Sequence, residues 1–69
     1  MNTLKINGEE KRFDGGLPAT LSQLLAYLKL DEATVVAEID DAIIERSKFS
    51  ATTLCDGQKI ELIRFVGGG

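Results

Sequence analysis

One short segment constrains the fold class of this chain more than any other, because it alone carries a helical apolar period. Leu21, Leu24, Leu25 and Leu28 fall at i, i+3, i+4 and i+7, which places them on one stripe of an α-helix. Thr20-Leu21-Ser22-Gln23 opens the segment as a capping box: the threonine hydroxyl can accept from the Gln23 amide while the glutamine side chain reaches back. Such a stripe is ordinarily the core face of a helix lying on a sheet. With 69 residues in all, the chain has room for a single domain with one modest core, burying only about 60% of the surface its unfolded form exposes.

The remaining segments read in the strand period. Leu4 and Ile6 alternate with Thr3 and Lys5, as in a half-buried strand. Asn7-Gly8 follows, a dipeptide suited to a two-residue hairpin because both positions need positive φ. That register sets Lys5 opposite Glu10, a favourable cross-strand charge pair. The return strand, Glu9 to Phe13, is polar apart from Phe13, and Asp14-Gly15-Gly16 ends it. Thr34 to Ile39 is short and β-branched, as a buried strand is. Asp40-Asp41 makes a polar turn into Ala42-Ile43-Ile44. Lys48-Phe49 and Thr52-Thr53-Leu54 belong to a less regular region, and Asp56-Gly57 is a turn signal ahead of a last strand over 60–66. Two strands, a helix, then three further strands, one of them short and irregular, predict an α+β domain: a mixed sheet of four to five strands with one main helix on one face.

Composition removes most kinds of chemistry. The chain has no histidine, and so lacks the commonest general base and metal ligand. No Ser–His or Cys–His nucleophile system can be built from it. One cysteine without histidine excludes the usual zinc sites and any internal disulfide, so neither a catalytic residue nor a metal site is expected. Cys55, flanked by Leu54 and Asp56, reads as a packed or semi-buried structural thiol, since an adjacent carboxylate disfavours the thiolate. Gly15-Gly16 opens no phosphate-binding motif. A net charge of −3 without a basic stripe disfavours nucleic acid, and the acidic residues between Asp31 and Glu45 read as solvated surface. The other carboxylates form no pair that spacing reveals. So small a domain is also expected to lack an enclosed active-site cavity, for which roughly 300–1,000 Å³ is usual. No apolar run approaches the ~20 residues of a membrane span, and the first residues lack the apolar core of a signal peptide, so the cytoplasm is the expected location.

The chain ends in Gly67-Gly68-Gly69. Glycine costs the most entropy to order, so the run adds nothing to folding stability. On the tail alone, terminal fraying or an appended glycine scar explains it equally well. The expected division is a folded domain over 1–66 and a flexible arm over 67–69. That arm would be on the order of 10 Å long when extended, tipped by a carboxylate ionised at neutral pH. Such a group accepts a nucleophile only after activation, for example as an acyl-adenylate. Without a nucleotide site in this chain, an ATP-using partner would have to make that adenylate.

Several residues together identify a likeness: the order of elements, the length, Asn7-Gly8 in the first hairpin, Asp56-Gly57 before the last strand, and the ending Phe65-Val66-Gly67-Gly68-Gly69. The whole chain resembles the ubiquitin-like sulfur carrier family of thiamine biosynthesis. The resemblance implies a β-grasp fold and a protein co-substrate rather than an enzyme. Gly69 would be adenylated by an E1-like activating enzyme using ATP, with no cofactor bound by the carrier itself. Sulfur from a persulfide-forming donor would then replace AMP, and the thiocarboxylate would serve thiazole synthase. Gly67 and Gly68 would form the arm in the partner's channel, and Phe65 and Val66 its partner-binding base beside the sheet surface. The free carrier would be a monomer without nucleic-acid or membrane partners. Many relatives carry Asn near Asp40, Pro near Glu45 and an acidic residue near Gln58, whereas Arg46 matches. The alternatives are the small subunit of molybdopterin synthase, a lysine-conjugated modifier, a β-grasp interaction module with an incidental tail, and a thiol-redox enzyme using Cys55.

Overall fold

The computed structural model describes residues 2–64. It contains strands β1 (Thr3–Ile6), β2 (Glu9–Arg12), β3 (Val35–Ile39), β4 (Ala42–Ile44) and β5 (Lys59–Arg64), with one α-helix, α1 (Leu21–Tyr27), between β2 and β3. The strands form one sheet in the order β2-β1-β5-β3-β4. β1 and β5 run parallel, and the other neighbours are antiparallel. The sheet is therefore mixed and five-stranded, as the sequence predicts.

The two hairpins form where the turn residues accept left-handed backbone. Asn7 (φ 52) and Gly8 (φ 85) join β1 to β2, and Lys5 pairs with Glu10 in the predicted register. Asp40 (φ 49) and Asp41 (φ 72) join β3 to β4 in the same way. Positive φ at both central positions gives the tight turn the handedness that matches strand twist. The last strand begins one residue earlier than predicted, at Lys59, and is described as far as Arg64; Phe65 and Val66 lie outside the described residues.

The capping box forms with a one-residue offset. The Gln23 N–H donates to the Thr20 hydroxyl at 3.2 Å, while Gln23 Oε1 accepts from the N–H of Ala19 at 3.0 Å. Leu21, Leu24 and Leu25 are fully buried against Leu4, Val35, Ala37, Ile39 and Ile60, the residues that alternate onto one face of the sheet. Leu28, the fourth residue of the stripe, packs at the edge of this core. Beyond the Leu28 C-cap, Lys29 turns the chain out of the helix with a φ of 61, which lets Leu30 N–H close back on Leu25 O at 2.9 Å.

Two local features differ from the sequence prediction. Residues Glu32–Thr34 form a 3₁₀ turn capped by Asp31, so β3 starts at Val35 rather than Thr34. The irregular region is a longer 3₁₀ helix, Arg46–Ala51, whose Phe49 is only 1% exposed and among the largest buried side chains. Just beyond it, Thr52 O accepts from Leu21 N–H at 2.9 Å, which fastens this segment to the start of α1. Truncation of a buried aromatic costs about 3–5 kcal/mol. Phe49→Ala is therefore expected to lower the denaturant midpoint as severely as Leu24→Ala does. A loss below about 0.5 kcal/mol, normal for a surface position, would place Phe49 outside the core.

Candidate functional site

All the residues singled out for function by sequence, Phe65, Val66, Gly67, Gly68 and Gly69, lie outside the described residues. The structure defines the strand that leads into them and the surfaces beside it. β5 is the middle strand, paired with β1 through Lys5↔Lys59 and Ile6↔Ile60 and with β3 from Ile39↔Ile60 to Val35↔Arg64.

Carboxylates hold the start of β5. Lys59 N–H donates to Asp40 Oδ1 at 3.0 Å, and Asp40 N–H donates to Lys59 O at 2.8 Å. Lys59 Nζ lies 2.9 Å from Asp41 Oδ1, and this hydrogen bond and charge raise the lysine pKa above its usual value. Asp56, in the turn before β5, accepts from the N–H of Thr3 at 2.7 Å and from its hydroxyl at 3.2 Å. The backbone donor leads in holding its carboxyl below the ordinary carboxylate pKa, because hydrogen bonds to the charged form favour it. At the other end of β5, the Asn7 side chain meets the backbone of Leu62 with two hydrogen bonds.

The two faces of β5 differ. Ile60 and Leu62 point to the helix and the core, and Arg64 follows them by alternation. Lys59, Glu61 and Ile63 lie on the opposite face, which α1 does not cover. There Ile63 is 55% exposed and Ile43, on β4, is 70% exposed. Val36 stands opposite Ile63, and Glu38 opposite Glu61. Like charges directly opposite are destabilising, so the open face keeps a carboxylate pair at some cost to the sheet. Spacing alone does not reveal that pair, because it arises from the β3–β5 register.

One further expectation needs correction. Cys55 is exposed, not packed: Leu54 takes the buried position, while the Cys55 N–H turns back to Gln58 Oε1 at 2.8 Å. A hollow of about 500 Å³ lies on the helix side of the sheet, floored by Ile6, Leu28, Leu30, Val35 and Leu62 and edged by Lys11 and Arg64. Its volume falls in the range of ligand sites, but its aliphatic floor is open to solvent, so it is not the enclosed cavity that so small a domain is expected to lack. Among the described residues no group of three or more metal-ligating side chains occurs.

This sheet order, with one helix across one face and the last strand at its centre, defines a ubiquitin-like β-grasp domain. A crystal structure of thiamine biosynthesis protein ThiS from Geobacter metallireducens superposes with a TM-score of 0.81 at 37% identity, covering 97% of this chain and 99% of that one. The model of the ThiS family matches residues 4–69. Sulfur carrier protein ThiS of Bacillus subtilis is 35% identical over 68 residues, spanning 96% of this chain and 98% of that protein. The chain belongs to the ThiS family. A protein of Paramagnetospirillum magneticum named thiazole synthase is 36% identical over 66 residues, and this chain spans 20% of its length.

The Asp56 contact has a pH signature. A carboxylate whose folded pKa is depressed adds stability above its unfolded pKa, and that stability is lost as pH falls through the folded value. The stability difference between wild type and Asp56→Asn is expected to be constant near neutrality and to shrink below the ordinary aspartate value of 3.8, as read by urea unfolding between about pH 6 and pH 2. A difference that stays constant over this range would show that the charge of Asp56 contributes nothing to the fold.

Proposed function

We propose that this chain is a sulfur carrier in thiamine biosynthesis and that sulfur is carried on the C-terminal carboxylate of Gly69. The observation that carries the proposal is the extent of the family match, which runs from residue 4 to residue 69 and so takes in the folded body and the glycine tail together. The near-complete overlap with the Bacillus carrier supports it from a second direction.

The chemistry is the one that membership of the family implies. A carboxylate oxygen of Gly69 attacks the α-phosphorus of ATP on an adenylating partner, pyrophosphate leaves, and the acyl carbon becomes electrophilic. The outer sulfur of a donor persulfide attacks that carbon and AMP leaves. Cleavage of the remaining S–S bond by a thiol leaves the thiocarboxylate. Gly67 and Gly68 form a side-chain-free arm for a narrow channel, with Phe65 and Val66 at its base. Ordering such an arm costs roughly 1–2 kcal/mol per residue, which docking of the folded body has to offset. The uncovered sheet face with Ile43, Val36 and Ile63 offers apolar area for that docking, and its Glu38–Glu61 pair suits a partner carrying a cation there.

Thiazole synthase is the proposed acceptor of the sulfur. Similarity to a segment of a longer protein named thiazole synthase supports that pairing, since segments of one polypeptide work at high effective concentration. The thiamine pathway is favoured over molybdopterin synthesis because the named relatives and the superposed structure belong to thiamine biosynthesis. The carrier is a co-substrate of its partners, and the cytoplasm, with its ATP and reduced thiols, is the proposed location. No helix among the described residues is long and apolar enough to cross a membrane.

Removal of Gly68 and Gly69 tests the proposal. The truncated chain is expected to keep its circular dichroism and thermal midpoint, and to lose ATP–pyrophosphate exchange with the adenylating enzyme. Exchange at the wild-type rate by the truncated chain would contradict a role for the Gly69 carboxylate.

A further inference from the structure

Asn7 sits at the first position of the β1–β2 turn with φ 52, and tolerance of that backbone would by itself explain an asparagine there. Its side chain does something the turn does not require. In a parallel pair the rungs recur evenly along the strands. Lys5 N–H donates to Gln58 O at 2.9 Å, and Asn7 N–H to Ile60 O at 2.8 Å. The next rung belongs to Leu62, whose N–H and C=O would look to the backbone of a continuing β1. The chain has already reversed at Asn7-Gly8, and Glu9 runs back in β2.

The Asn7 carboxamide fills both places. Leu62 N–H donates to Asn7 Oδ1 at 2.7 Å, and Asn7 Nδ2 donates to Leu62 O at 3.2 Å. A side-chain amide thus stands in for the missing peptide and extends the β1–β5 ladder one rung beyond β1. Without it, described β5 beyond Ile60 is paired only from the β3 side, through Glu61, Leu62, Ile63 and Arg64. Few other side chains can do this. Glycine accepts the φ but has no amide, aspartate keeps the acceptor but loses the donor, and glutamine reaches one methylene too far.

Building on the carrier reading above, we infer that Asn7 is a positioning residue for the sulfur-bearing tail. By clamping Leu62 it fixes the direction in which β5 delivers the arm to a partner's channel. The ordering of that exit is met during folding instead of during association, and such preorganisation strengthens binding without touching the reacting atoms. Its loss should appear in KM for the carrier and not in kcat, because once bound the arm is held by the partner.

The test uses the full chain with ATP and the adenylating enzyme. Asn7→Gly keeps the turn, since glycine takes positive φ freely, and removes both side-chain hydrogen bonds. Thr20→Ala, which loses the helix cap at a distance from the exit strand, controls for general destabilisation. Asn7→Gly is expected to speed amide exchange at Leu62 and to raise KM for the carrier by about three- to tenfold with kcat unchanged, while Thr20→Ala leaves KM at the wild-type value. Asn7→Asp should shift KM less in the same direction, and serves if the glycine variant does not fold. Wild-type KM in Asn7→Gly despite faster Leu62 exchange would overturn the inference, as would an equal rise in Thr20→Ala. If wild type itself is not adenylated, the carrier reading fails and the inference falls with it.

Discussion

Because β5 is bonded to β1 on one side and to β3 on the other, the strand that leads into the glycine tail cannot shift without opening both halves of the sheet. The pairing joins parts of the chain that lie far apart in sequence: Asp56 with Thr3, and Leu62 with Asn7. Closing such long loops costs entropy before any contact repays it, so this centre and the leucine stripe of α1 depend on one another. The helix covers the face that carries Ile60, Val35 and Leu4, and its burial supplies the apolar stabilisation that makes the central pairing worthwhile. The opposite face is left uncovered. In a domain this small, one side of the sheet builds the core and the other remains free for contact.

Much of this was legible from residue type and spacing. Asn7-Gly8 specified its hairpin and register because both residues tolerate left-handed backbone, and Thr20 with Gln23 marked the helix start because their side chains satisfy exposed N–H groups. The leucine period located the buried face. What escaped depended on contacts between distant segments. Phe49 lies in a 3₁₀ stretch without a usable apolar period, so its burial follows from the packing of that stretch on α1. Asn7 carries no sign in the sequence that its carboxamide reaches β5, and Glu38 and Glu61 oppose each other only through the register of β3 and β5. Cys55 was expected to pack, but the turn closed by Gln58 sends Leu54 inward and leaves the thiol outside. The tail is a different case: the family resemblance gives its chemistry as an expectation, and it lies outside the described residues.

The proposed division of labour between body and tail fits these constraints. The body offers an anchored central strand, an open face with apolar residues, the Glu38–Glu61 pair and Lys59, and no histidine or metal-ligating cluster among the described residues. In the proposed reading it serves as a handle for partner enzymes. On that reading the reactive group is the Gly69 carboxylate, which needs nothing from the body but a handle. The exposed Cys55 is the competing place for sulfur, since a thiol accepts a persulfide sulfur directly.

Mass spectrometry of the intact chain, followed by fragmentation, separates these two sites directly. After incubation with ATP, the adenylating enzyme and a persulfide donor, the gain should equal replacement of one oxygen by sulfur and map to the C-terminal fragment containing Gly69. A gain of a whole sulfur atom mapping to Cys55, with the terminal carboxylate unchanged, would contradict the account.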